Sequence, residues 1–266
     1  MSRNSYVLIR GGGDLATGVA LRLHRVGIKV LITELAQPLA VRRTVSFAEA
    51  VYDGAHTVEG VTARLVKREQ LPASLDADEI PVLIDPDAEI LRHHPTLVVV
   101  DARLIKKPPQ PLPVNVPLLI GLGPGFHAGR DCHAVIETRR SHTLGRVYWT
   151  GTTQPDSGEP EGDPRRVLRA PTDGVIVGVK KIGDHVEEGE IIAHIGDHAV
   201  TSPLRGVLRG LLRDGLHVAQ GLKIGDVDAR DDASACLLVS DKALAIGGGV
   251  LEAVFSQKEV RGKLYS

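Results

Sequence analysis

Apolar residues in the first half of the chain come in short runs separated by stretches with a different rhythm. Residues 6–9, 29–33, 81–84, 96–100 and 116–120 are four- or five-residue runs rich in Val, Ile and Leu, the texture of strands buried on both faces. Between the first two, Leu15, Val19 and Leu23 recur at every fourth position beside Ala16 and Ala20. That spacing draws one apolar helix face over residues 15–26. Residues 87–93 predict a second helix between strands. Strands alternating with helices predict an α/β layer with a mainly parallel sheet.

The pattern breaks at residues 152–164 (TTQPDSGEPEGDP), which hold Pro, Gly, Ser and acids and almost nothing apolar. Such a stretch buries too little surface to order itself, so it predicts a linker between a first domain, 1–151, and a second, 165–266. A length of 266 residues suits about two domains.

Beyond the linker the sequence repeats with an offset of 32. Gly174, Gly183, Val186, Gly189 and Ile192 match Gly206, Gly215, Val218, Gly221 and Ile224, and Ala170-Pro171 matches Ser202-Pro203. Glycine recurs where turns need positive φ, and Val or Ile recurs where strands face a core. The ordered series resembles the biotinyl/lipoyl carrier family. The resemblance implies a barrel-sandwich hybrid, two β-meander halves about a pseudo-twofold axis. The family attaches its cofactor to a lysine at the hairpin between the halves. Residues 195–201 (IGDHAVT) hold no lysine, so neither biotin nor lipoate is expected. His198 in that turn reads as a solvated tip. The residues 241–254, with Gly247-Gly248-Gly249, are expected to pack back on the first domain.

Two glycine loops carry the candidate chemistry. Gly11-Gly12-Gly13-Asp14-Leu15-Ala16 fits GxGxx(G/A) between an expected strand and an expected helix. Its glycines would let the backbone approach a pyrophosphate at the helix N-terminus, and Glu34, about twenty residues on, stands where a ribose is met. Asp14 is expected at the phosphates too, where it could hold a metal ion bridging to them, although a carboxylate there serves equally as an N-cap. Arg10, Arg42 and Arg43 would meet phosphate oxygens or, equally, solvent. The second loop, Gly121-Leu122-Gly123-Pro124-Gly125-Phe126, follows another strand and would close the same site. His127, Asp131, Cys132, His133 and Glu137 come next, but adjacent Cys132 and His133 lack zinc spacing, and no metal site is expected. Cys132 is the one catalytic candidate, a sulfur or selenium relay whose thiolate the loop amides and Arg130 would stabilise; an inert half-buried cysteine competes with it. Cys236 has apolar neighbours and reads as core.

Composition narrows the partners. The net charge is −1, so no general attraction to nucleic acid or an anionic membrane is expected. Aromatic residues are 3% of the chain, too few for a base-stacking surface. Two distant cysteines predict no disulfide framework and a reduced, cytoplasmic setting. No signal-peptide core opens the sequence and no apolar run reaches bilayer length, so a soluble protein is expected.

The strings RGGGDLATG, TELAQP, RRTVSFAEAVYDG, GLGPGFHAGRDCHAVIET, RSHTLGRVYWTG and DKALAIGGGVLEAV, in this order, resemble the YqeB-type accessory proteins of selenium-dependent molybdenum hydroxylases. The resemblance implies a Rossmann-like nucleotide-binding domain joined to the lysine-free barrel-sandwich domain. It also implies a role in maturing or supplying a molybdenum active site, with the hydroxylase as partner. The ligand expected from the glycine loop is a nucleotide, such as a molybdopterin dinucleotide. An NAD(P)-dependent oxidoreductase and a non-enzymatic scaffold that docks the hydroxylase stand as alternatives. Turnover and assembly into a homo-oligomer are left open.

Overall fold

The computed structural model describes residues 6–158 and 162–264. Of the expected linker, residues 159–161 lie outside the described residues, as do 1–5 and 265–266 at the ends of the expected domains. The chain divides into two units, one of residues 1–38, 47–156 and 239–266, the other of residues 39–46 and 157–238.

The first unit is built on a nine-stranded sheet. Its strands are β1 (Tyr6–Arg10), β2 (Lys29–Glu34), β3 (Ala55–Val58), β4 (Val61–Leu65), β5 (Ile80–Ile84), β6 (Val98–Asp101), β7 (Leu118–Leu122), β8 (Ala134–Ile136) and β9 (Val147–Tyr148). They lie in the order β3-β4-β5-β2-β1-β6-β7-β8-β9. From β4 to β8 every pairing is parallel, while β3 and β9 run antiparallel at the edges. The central β1 and β6 are buried along their whole length, as continuous apolar runs with both faces covered should be.

Helix α1 (Asp14–Arg25) crosses from β1 to β2 and buries Leu15, Ala16, Val19, Ala20 and Leu23, the face drawn by the four-residue spacing. Short α2 (Ala50–Asp53) and α3 (Leu71–Ser74) follow. The expected helix at 87–93 is a 3-10 turn, Glu89–Arg92, entered through Ala88 in the left-handed region. The end of the chain supplies α4 (Asp241–Ser256) and α5 (Lys258–Leu264). Helix α4 packs on α1 at near backbone contact: a Cβ on Gly18 would fall 2.7 Å from the Ala243 backbone, and one on Gly247 would fall 2.8 Å from the Gly18 oxygen. The return of residues 241–254 to the first sheet therefore rests on small residues at the crossing. The stretch 233–256 passes, by length and composition alone, as a membrane-crossing helix. Here it comprises a 3-10 turn, Ala233–Cys236, and α4, whose Ala243, Ile246, Val250, Ala253 and Val254 are buried. The fold is compatible with a soluble protein.

The second unit holds β10 (Val167–Arg169), β11 (Gly174–Gly178), β12 (His185–Val186), β13 (Ile191–Ile195), β14 (His198–Thr201), β15 (Gly206–Leu211), β16 (His217–Val218) and β17 (Lys223–Asp228). The 32-residue repeat is visible in it. Strands β11, β12 and β13 begin at 174, 185 and 191, and β15, β16 and β17 begin at 206, 217 and 223, each 32 later. The strands form two four-stranded antiparallel sheets, β10-β17-β15-β12 and β14-β13-β11-β16. Each half lends its two-residue middle strand to the other half's sheet. The hairpin between β13 and β14 turns at Gly196 and Asp197.

This architecture corrects the expected pairing of an α/β Rossmann-like domain with a separate lipoyl/biotinyl-like barrel. The first sheet is mixed, nine strands wide, and mostly joined by loops and 3-10 turns. The second unit is two small sheets, not a separate barrel. It also draws in residues 39–46, where Val41 carbonyl oxygen accepts from Leu211 N at 2.9 Å, and gives up residues 239–266. Local periodicity could not show this, because the two units exchange chain segments far apart in sequence.

Candidate functional site

The order of the first sheet places a switch at its centre. From β1 the chain passes through α1 to β2 on one side, whereas β6 pairs with β1 on the other. The carboxyl ends of β1 and β6 therefore meet where open α/β sheets bind ligands. Arg10 and Asp101, which end these strands, are register partners, and Asp101 is in turn the partner of Gly121 on β7.

Gly11 leaves β1 at φ 90°, with its amide bonded to the Thr33 carbonyl. The Gly12 amide donates to Glu34 Oε2 at 2.6 Å, and the Leu35 amide donates to Oε1 at 2.7 Å. Glu34 thus holds the glycine turn itself, so its carboxylate is already engaged where a ribose was expected. Gly12 carbonyl oxygen accepts from Ala48 N at 2.8 Å. Gly13 is the N-cap of α1, in open space, and no side chain caps that helix. Asp14 is the first helical residue rather than the cap.

Arg42 and Arg43 belong to the second unit and serve its backbone. Arg42 donates to the carbonyls of Ala235 and Leu238 at 3.3 and 3.1 Å, and Arg43 donates to that of Leu211 at 3.0 Å. Backbone carbonyls bonded by guanidinium groups account for both arginines without a phosphate.

The second glycine loop is tightly packed. A Cβ on Gly121 would fall 2.6 Å from a ring carbon of Phe126, and one on Gly125 would fall 2.8 Å from the Ile105 carbonyl carbon. Gly123 takes φ 82° beside the Thr138 hydroxyl. Behind the loop Cys132 is buried with Phe126, Ala128 and Val135. Burial pushes its thiol up to about 11, against smaller opposing bonds from the Gly121 and Ala134 backbone. Arg130 is bound to Asp131 at 2.8 Å. The expected thiolate stabilisation is thus outweighed by desolvation. The neighbouring candidates are occupied too: Asp131 accepts from the His127 amide, His133 Nδ1 from the Leu119 amide, and buried Glu137 from the amides of Arg139 and Gln154. Among the described residues no three His, Cys, Asp or Glu side chains gather as metal ligands.

Sequence reasoning singled out Arg10 but missed Asp101 and Arg103, which make it the charged centre of the switch. Asp101, 2% exposed, is gripped by Arg103 through two bonds of 2.8 and 2.6 Å and by Arg10 at 3.3 Å. Arg10 also donates to the Pro86 carbonyl at 2.9 Å. Burial lowers the Arg10 guanidinium below its ordinary range while Asp101 opposes that shift, and the Asp101 bond raises Arg103. An acid closing the run Val98–Asp101 was the available signal. A charge at the end of a fully apolar strand must be paired or functional. Beside this centre lies a cavity of about 630 Å³.

A chain of this sequence has an informative relative. The Escherichia coli (strain K12) protein "Uncharacterized protein YqeB" is 49% identical over 258 residues, which are 95% of this chain. The likeness supports the YqeB family. The chain spans about half, 48%, of that protein's length. No family model matches the chain. Among solved structures, the ectoine utilization protein EutE (DoeB) of Ruegeria pomeroyi in product-bound form is 10% identical, with a TM-score of 0.23 over 83% of this chain and 56% of that one. An aspartoacylase family protein of Mesorhizobium loti is also 10% identical, with a TM-score of 0.24 over 84% of each chain. Likenesses this slight bear on neither fold nor activity.

Proposed function

We propose that this YqeB homologue is a cytoplasmic accessory protein that helps to mature or supply a selenium-dependent molybdenum hydroxylase. In this reading its first unit binds a nucleotide, or the nucleotide arm of the molybdenum cofactor as cargo. The supporting observation is the glycine turn at the β1/β6 switch. It opens the 12-residue helix α1 with Gly13 in open space and no side-chain cap. A helix beginning so leaves amides and the positive end of its dipole for an anion. The phosphate end would rest at Gly13 and the start of α1, because Glu34 already occupies the Gly12 amide. Arg42 and Arg43 have no part in it.

Calorimetry with a molybdopterin dinucleotide, CTP, NAD and NADP tests this reading. Saturable binding of the pterin dinucleotide or CTP, abolished by Gly13→Asp, is the expected outcome. Absence of heat from all four would remove it. The nicotinamide nucleotides alone binding would favour the oxidoreductase.

One observation favours the scaffold as a second reading. On β11 and just past it Val175, Val177 and Val179 are 44%, 54% and 54% exposed, an apolar stripe on one sheet face of the second unit. Val177→Asp would then abolish hydroxylase activation while nucleotide binding persists.

A further inference from the structure

The cavity beside Arg10 is a site that the glycine turn does not explain. None of residues 11–14 lines it. One wall is the sheet face carrying Arg10 and Asp101, which extends the apolar cluster of Leu8 and Val99. Another part of the lining is residues 109–112 and 114–117, the later part of the connection 102–117 between β6 and β7, sixteen residues without helix or strand and with four prolines before Pro117. Its Leu112 and Val114 pack on the same cluster. Phe126, over Gly121, closes one side, and Trp149, the single tryptophan of the chain, stands on the rim. Long ordered connections over a pocket of this size are where small-molecule sites are built.

The chemistry of the occupant follows from Arg10. This residue is 5% exposed, and a guanidinium offers five N–H donors. Two donors have partners, one of them the 3.3 Å bond to Asp101, and the second N–H on each of Nη1 and Nη2 has none among the described residues. Unmet donors on a buried cation are costly unless an acceptor arrives. Asp101, Arg130 and Asp131 also line the cavity, Arg130 paired with Asp131 at 2.8 Å, and Asp85 and Asp87 lie close enough to act on Arg10. Every added negative charge on the occupant meets these carboxylates, so a monoanion suits the Arg10 donors better than a dianion.

We infer that the cavity lined by the sheet and residues 109–117 binds a small organic carboxylate, its acid group on Arg10 and its apolar body against Leu112, Val114 and Phe126. This inference goes beyond the nucleotide reading and stands without it, since the two use different residues.

The test follows Trp149 emission, with calorimetry in parallel, during titration of the full chain with phenylacetate, 4-phenylbutyrate and 2-naphthoate. The corresponding amides and phenyl phosphate serve as comparisons. At least one acid is expected to bind saturably below about 1 mM, with its amide and phenyl phosphate weaker by about tenfold or more. Arg10→Gln should weaken that acid by about tenfold, toward its amide. Because Arg10 is buried, Val114→Phe provides a second variant, which fills the cavity and leaves the guanidinium in place. It should also abolish acid binding while the chain melts as a folded protein. The inference is overturned if none of the acids binds, if an amide or phenyl phosphate equals the best acid, or if a folded Arg10→Gln or Val114→Phe chain binds as the wild type does.

Discussion

The two glycine loops of the first unit look alike in sequence and are opposite in physics. GGGD after β1 has its third glycine in open space at the mouth of a helix. GLGPG after β7 has two glycines pressed against a ring and a carbonyl. In the first, lack of a side chain keeps backbone amides approachable; in the second, it lets the chain close on itself. A run of glycines after a strand therefore reports close approach, but not whether a ligand or the protein makes it.

The contrast breaks first at Gly125. Gly125→Ala would set a methyl group on the Ile105 backbone, which cannot swing away as a side chain can. Overpacking of this kind should cost about 3 kcal/mol or more. Thermal melting should fall by roughly 10 °C. A variant melting within about 1 °C of wild type would show that the second loop has room for a ligand after all.

Glu34 sharpens the comparison from the other side. Glu34→Gln keeps the shape but removes the charge that receives the Gly12 and Leu35 amides at 2.6 and 2.7 Å. The loss should be about 1–2 kcal/mol in denaturant unfolding. If Glu34 instead serves a ribose, stability will hold and only nucleotide affinity will drop. Smaller again is Gly13→Ala. Gly13 has φ −64° and ψ 179°, open to any residue, and nothing lies within 4 Å of its added methyl group. The cost should be about 0.5–1 kcal/mol, from alanine's poorer capping. Nucleotide titration should weaken far more than that stability change suggests.

What the sequence made legible was local. Strands at 6–10, 29–34 and 80–84 and helix α1 follow from apolar runs and a four-residue spacing. The 32-residue repeat follows from its glycines. Long-range exchange was not legible: nothing near Arg42 and Arg43 shows that their partners are carbonyls almost 170 or more residues away. Nor does Gly121 announce that a phenyl ring five residues later will lie on it. The Arg10–Asp101 pair was half visible, as two charges ending apolar strands, but only parallel register makes them neighbours.

The least change in stability, and the most direct probe of the second loop, comes from Cys132. If that loop exists to be packed, the thiol behind it is a core group and stays neutral. Its folded value is raised from the ordinary 9.0 to about 11. The fold therefore favours the thiol over the thiolate. This contribution is complete below pH 9 and declines as pH rises from 9 toward 11. At pH 8 nothing is lost, but the thiolate fraction is about a hundredfold below that of the unfolded chain. Iodoacetamide labelling mapped by mass spectrometry should be slower at Cys132 in the native protein by at least that factor, since burial also blocks the reagent. Denaturant that unfolds the chain should restore the rate. Labelling as fast in the native as in the unfolded state would make Cys132 an accessible thiolate. The second loop would then resemble the first, a place held open for chemistry.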